Sequence, residues 1–145
     1  MGIGHYKCAG IYENNSRWRR GYIGLHMVMR WLAAGVVVLM LVALFAGGAQ
    51  PQAVGLFSAS WDKVAHGLYF FVLAFLLARF FSFSVLWVVV LALLVAVVDE
   101  THQMFLPGRV ASWDDGLADA VGVGLGLVAV KMLGGMGKAG LRTEG

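Results

Sequence analysis

Four long apolar runs dominate this chain and restrict its fold more than any other feature. They cover about 31–49, 64–81, 85–98 and 117–133 of the 145 residues, with short polar stretches between them. A helix rises about 1.5 Å per residue and the hydrocarbon core of a bilayer is about 30 Å thick, so roughly 17–20 residues suffice to cross it. Inside that layer only a helix or a closed barrel satisfies every backbone N–H and C=O, and unbroken apolar runs of this length fit the helix. The third run is short by this standard. It spans only if its helix continues through Asp99 to about Gln103, which carries acidic groups to the membrane edge. The expected fold is all-α, an integral membrane four-helix bundle over 31–133, with a basic tail at 1–30 and a flexible tail at 134–145.

Composition narrows the function classes. With 60% hydrophobic and only 13% charged residues, the chain is too apolar to be covered as a small water-soluble domain. The single cysteine, Cys8, excludes an intramolecular disulfide and a CxxC metal knuckle. A net charge of +3 does not signal nucleic acid, because the basic residues flank apolar runs instead of forming an aromatic-interleaved patch.

Those basic residues set the orientation, since Lys and Arg resist translocation. If both termini are cytoplasmic, nine of the eleven fall inside: Lys7, Arg17, Arg19, Arg20, Arg30, Arg79, Lys131, Lys138 and Arg142. Lys63 and Arg109 lie outside, together with six of the eight acids. Trp61 and Trp113 then mark the outer interface, and Trp31 and Trp87 the inner one. An alternative start at Met27 or Met29 would turn the first run into a signal peptide ending near Gly47–Ala49; retention as an anchor is the simpler account, and the other spans are unchanged. The expected location is the cell membrane, multi-pass, with the lipid bilayer as the first partner.

Three polar constellations interrupt the apolar background, each at the outer end of a span. The first is Trp61-Asp62-Lys63-x-x-His66. Asp62 and His66 share a helical face, so the carboxylate can orient the imidazole, or else it caps the second helix. A histidine one turn inside a membrane helix needs a partner in either case. The second is Asp99-Glu100-Thr101-His102-Gln103, leading through Phe105-Leu106-Pro107-Gly108 to Arg109. On a continued helix Asp99 faces with His102 and Gln103, and the Pro-Gly turn lets Arg109 return toward the carboxylates. The third is Ser112-Trp113-Asp114-Asp115-x-x-x-Asp119-x-x-Gly122. Ser112 or Asp114 suits a cap, and Gly122 with Gly126 suits close helix packing. Asp119 lies deeper than a cap, so its charge needs Arg109, Lys63 or a protonated histidine.

In this order, Asp62-Lys63-x-x-His66, Asp99-Glu100-x-His102-Gln103 with Phe105-x-Pro107-Gly108-Arg109, and Ser112-x-x-Asp115-x-x-Ala118-Asp119-x-x-Gly122 resemble the signature of the VanZ-like family of membrane proteins over residues 31–133. The resemblance implies a cell-envelope role, with glycopeptide resistance, notably toward teicoplanin, as the namesake's activity. This chain departs at Asp119, where the family usually carries asparagine. Two functions follow. One is a non-catalytic factor that binds an envelope lipid, a glycopeptide antibiotic or a membrane protein partner. The other is an enzyme on an envelope lipid or lipid-linked substrate, with His66 or His102 as acid/base, Asp99, Glu100 and Asp115 orienting it or binding a cation, and Arg109 holding an anionic group; the two histidines with carboxylates could also hold a divalent metal. In both, Asp62, Lys63, Gln103, Arg109, Asp115 and Asp119 contact the ligand. Neither names a cofactor, and the histidine spacing matches no familiar metal motif. A channel is disfavoured because nothing polar lines the inner halves of the spans.

Overall fold

The computed structural model describes residues 6–50, 59–108 and 113–139, with side chains at 24–50, 61–108 and 113–134. Its elements are all helical: α1 Tyr6–Val42, α2 Ala59–Phe80, α3 Val85–Gln103 and α4 Trp113–Ala139, with a π-helical turn at Ala43–Gly47 after α1. Stretches of all four, Gly24–Gly47, Trp61–Phe80, Val85–Gln103 and Trp113–Gly134, are long and apolar enough to cross a membrane. The third helix does run through Asp99 to Gln103, as its length demanded. The basic segment is helical from Tyr6, and α4 continues through glycines to Ala139.

The chain divides into two compact units, Met1–Gly35 and Val36–Gly145. In the first, the helix carries the basic run and the beginning of the first apolar span. In the second, α1 passes into a π-helical turn at Ala43–Gly47, closed where the Gln50 side-chain amide donates to the Ala46 carbonyl at 3.2 Å.

The buried positions explain how α2, α3 and α4 pack. On α2 they are His66, Phe70, Leu73, Ala74 and Leu77; on α3, Val88, Ala92, Ala96, Asp99 and Gln103; on α4, Asp115, Asp119, Gly122, Val123 and Gly126. Each set advances by three or four residues, which draws one stripe along one helix face. The central part of the three stripes is apolar and forms the core, with Val37 and Met40 packed against it. The opposite faces expose Leu68, Leu94, Val97, Val121 and Leu125, side chains suited to lipid contact.

Glycine brings α4 against α2. A Cβ added at Gly122 would overlap the Gly67 carbonyl oxygen and stand 3.0 Å from Phe71 N, and one added at Gly126 would stand 2.5 Å from the Phe71 carbonyl oxygen. Glycine, having no Cβ, permits this backbone approach, as in small-xxx-small membrane packing. The pairing rises together along both chains, so α2 and α4 run parallel. A four-residue connection, 81–84, returns α3 antiparallel to α2. There Ser82 takes φ 58°, and the Ser84 hydroxyl accepts from Trp87 N at 3.5 Å to cap α3.

Candidate functional site

The three buried stripes are apolar in their middle and polar at one end, where α2 and α4 begin and α3 finishes. That arrangement follows from helix periodicity alone: His66 stands one turn before Phe70, Asp99 follows Ala96 by three residues, and Asp119 precedes Val123 by four. The polar groups therefore face inward because they continue the same faces that bury the core. Trp61 and Trp113 are exposed at this end.

Its centre is a contact between α2 and α4. His66 Nδ1 lies 3.1 Å from Asp119 Oδ1, with both residues buried. With the carboxylate ionised, Nδ1–H donates to it, which leaves Nε2 as the ring's second nitrogen for other chemistry. Asp119 thus takes the orienting place that the i,i+4 spacing assigned to Asp62. Asp62 stands in the first turn of α2 and does not occupy a cap position, since the helix begins at Ala59. Among the described residues considered as partners for Asp119, His66 is the one found, and Lys63 is engaged elsewhere: its Nζ donates to Asp114 Oδ2 at 2.7 Å, at the exposed rim.

On α3, Gln103 Nε2 donates to Asp99 Oδ2 at 2.7 Å, one turn apart and both buried. Asp99 also feels the charges of His66, Asp119 and His102, so it links the α2–α4 contact to the third helix. His102 is partly buried, its ring edge-on to Phe45 at 5.7 Å between centroids. The two histidines therefore take different surroundings, one held by a carboxylate and one by an aromatic ring. Glu100 is partly buried on the same turn, and Thr101 turns its hydroxyl back to the Val97 carbonyl at 2.6 Å. Asp115 is buried one turn before Asp119, within electrostatic reach of His66, Asp62, Lys63 and Asp119. Arg109 and Ser112 lie outside the described residues.

Two residues at this end were not among the expected set. Tyr69, one turn below His66, holds its hydroxyl buried with no hydrogen-bond partner among the described residues, and its side chain feels the charge of Asp99. Phe45 reaches His102 from the π-helical turn. An aromatic residue within an apolar run reads as core, so neither carried a signal beyond its type.

Chemically, the arrangement combines an oriented imidazole, carboxylates from three helices and an amide, which suits binding of polar or cationic groups and proton transfer at His66. Among the described residues, no group of three or more His, Cys, Asp or Glu is placed to hold a metal ion. The model of the family described as VanZ/LLP1 matches residues 24–134, which includes every described residue of this polar end. No curated protein and no solved structure matches the chain.

Proposed function

The chain belongs to the VanZ/LLP1 family, and from that premise we propose that this multi-pass membrane protein is a cell-envelope factor whose polar end binds its ligand without transforming it. By family analogy the role lies in glycopeptide resistance, with teicoplanin as the antibiotic to test. The ligand is an envelope lipid, the antibiotic itself or a membrane protein partner. The polar end faces the extracytoplasmic side and both termini are cytoplasmic, a reading supported by the bias of Lys and Arg toward the opposite ends of the helices.

The observation that carries the binding reading is the mutual pairing of the polar groups: His66 with Asp119, Lys63 with Asp114, and Asp99 with Gln103. Charges at membrane depth are tolerated when they satisfy one another, and such a set holds helices in register while presenting a polar surface to a ligand. Cells expressing the protein test this when teicoplanin susceptibility and membrane accumulation are measured together. His66→Gln and Asp119→Asn are expected to lower accumulation and resistance in parallel.

A second reading rests on the His66–Asp119 contact itself, which resembles a general base held by its orienting carboxylate. In that case His66 Nε2 is the proton acceptor toward an envelope lipid or lipid-linked substrate, with Asp99 and Glu100 close to the reacting group. Normal accumulation of His66→Gln with resistance abolished would favour this enzymatic reading over the binding one. Elemental analysis of the purified protein beside His66→Ala and His102→Ala tests for a metal at the same end.

A further inference from the structure

The two histidines of the polar end are held by different chemistry. His66 is fixed by a carboxylate at 3.1 Å, whereas the His102 ring meets Phe45, with centroids 5.7 Å apart and planes inclined by 76°. Phe45 and His102 are both partly buried. That separation and inclination are those of an edge-to-face pair, the arrangement that ring quadrupoles favour. Phe45 owes its place to the π-helical turn Ala43–Gly47. Upstream on the same helix, Val37 and Met40 pack against the core. At about 100° per residue, an uninterrupted α-helix would carry Phe45 roughly a third of a turn away from the face those two bury. Hydrogen bonds that close over five residues instead of four admit one extra residue, so the chain rotates less between Met40 and Phe45 and the ring comes to lie against His102. Gln50 closes the widened turn: its backbone N–H donates to the Gly47 carbonyl at 3.1 Å and its side-chain amide to the Ala46 carbonyl at 3.2 Å. Single π-helical turns of this kind recur at functional sites.

We propose that Phe45 is a positioning residue of the polar end: its ring, aimed by the π-helical turn, fixes the His102 imidazole and screens it from water. The contact orients the ring without engaging a carboxylate or a carbonyl, unlike the one at His66, where Asp119 takes up Nδ1. His102 is thereby held in a defined direction with its nitrogens left for a ligand. The role is the same whether the polar end binds its ligand or transforms it.

The test is diethyl pyrocarbonate modification of the full chain in phosphatidylcholine nanodiscs, with the rate at each histidine read by peptide mass spectrometry. Phe45→Ala is expected to raise the rate at His102 about two- to tenfold, the factor that one aromatic pair contributes to a closed arrangement. The rate at His66, which is held by Asp119, should not change. Phe45→Tyr keeps the ring and should keep the wild-type rate at His102, whereas Phe45→Leu keeps apolar bulk without a ring and should follow alanine. Should Phe45→Ala fail to accumulate, the tyrosine and leucine variants make the same comparison. A His102 rate unmoved by Phe45→Ala, or as slow in Phe45→Leu as in wild type, would overturn the proposal. Equal rises at His66 and His102 would overturn it too, because they report a loosened bundle instead of one released ring. The readout is the reactivity of a single imidazole, so a selective rise at His102 supports the role of Phe45 even where the protein confers no teicoplanin resistance, and lost resistance without that rise refutes it.

Discussion

Substituting alanine for glycine at two neighbouring positions of α4 should give effects of opposite sign. At Gly122 the new methyl meets backbone on α2: it overlaps the Gly67 carbonyl oxygen and stands 3.0 Å from both Gly67 C and Phe71 N. Backbone atoms have no rotamer to escape into. Restoring an ordinary separation of about 3.5–4 Å requires α4 to move from α2 by about 1 Å. The 3.1 Å His66–Asp119 contact then exceeds hydrogen-bonding distance. Overpacking of this kind costs about 1–3 kcal/mol, to which the loss of a buried charge-assisted bond adds about 1.5–3 kcal/mol. At Gly124, two residues along, a Cβ meets nothing within 4 Å and the position is exposed. There alanine removes the backbone freedom of glycine and stabilises the helix by up to about 1 kcal/mol. Unfolding free energies in bilayer or bicelle, measured for both variants with membrane accumulation, check the pair. Gly122→Ala tolerated as well as Gly124→Ala would refute the close α2–α4 approach.

Three smaller predictions accompany it. Ser82 sits at φ 58°, a conformation costing an L-residue about 1–2 kcal/mol, so Ser82→Gly should stabilise the α2–α3 turn by about 0.5 kcal/mol net of glycine's extra chain entropy; thermal unfolding reads this out. Lys63→Gln removes a rim pair whose side chains are 42% and 63% exposed, and should change stability by less than about 1 kcal/mol in the same assay. Tyr69→Phe deletes a buried hydroxyl without a protein partner, so accumulation should be unchanged or improved, while loss of resistance would assign that hydroxyl to the ligand.

The fold was legible because lipid leaves few choices: an apolar run of spanning length becomes a helix, and the shortage in the third run forced α3 on to Gln103. Local spacing also served within one helix, where Asp99 and Gln103, four apart, do hydrogen-bond. It misled at His66. The spacing pointed to Asp62, whereas the acceptor is Asp119, 53 residues away on a parallel helix. Nothing in a single sequence encodes which of several acids the packing of two helices will bring opposite one imidazole. The same limit hid the Lys63–Asp114 rim pair and the Phe45–His102 contact, since both depend on how separate elements meet.

The account depends most on the buried contact between His66 and Asp119, and a double-mutant cycle measures it directly. Unfolding free energies of wild type, His66→Gln, Asp119→Asn and the double variant are expected to show a coupling of about 1.5–3 kcal/mol, the range for a hydrogen bond to a charged group. Single effects that add to within about 0.5 kcal/mol would mean that the two side chains do not interact, and α2 and α4 would not meet as described.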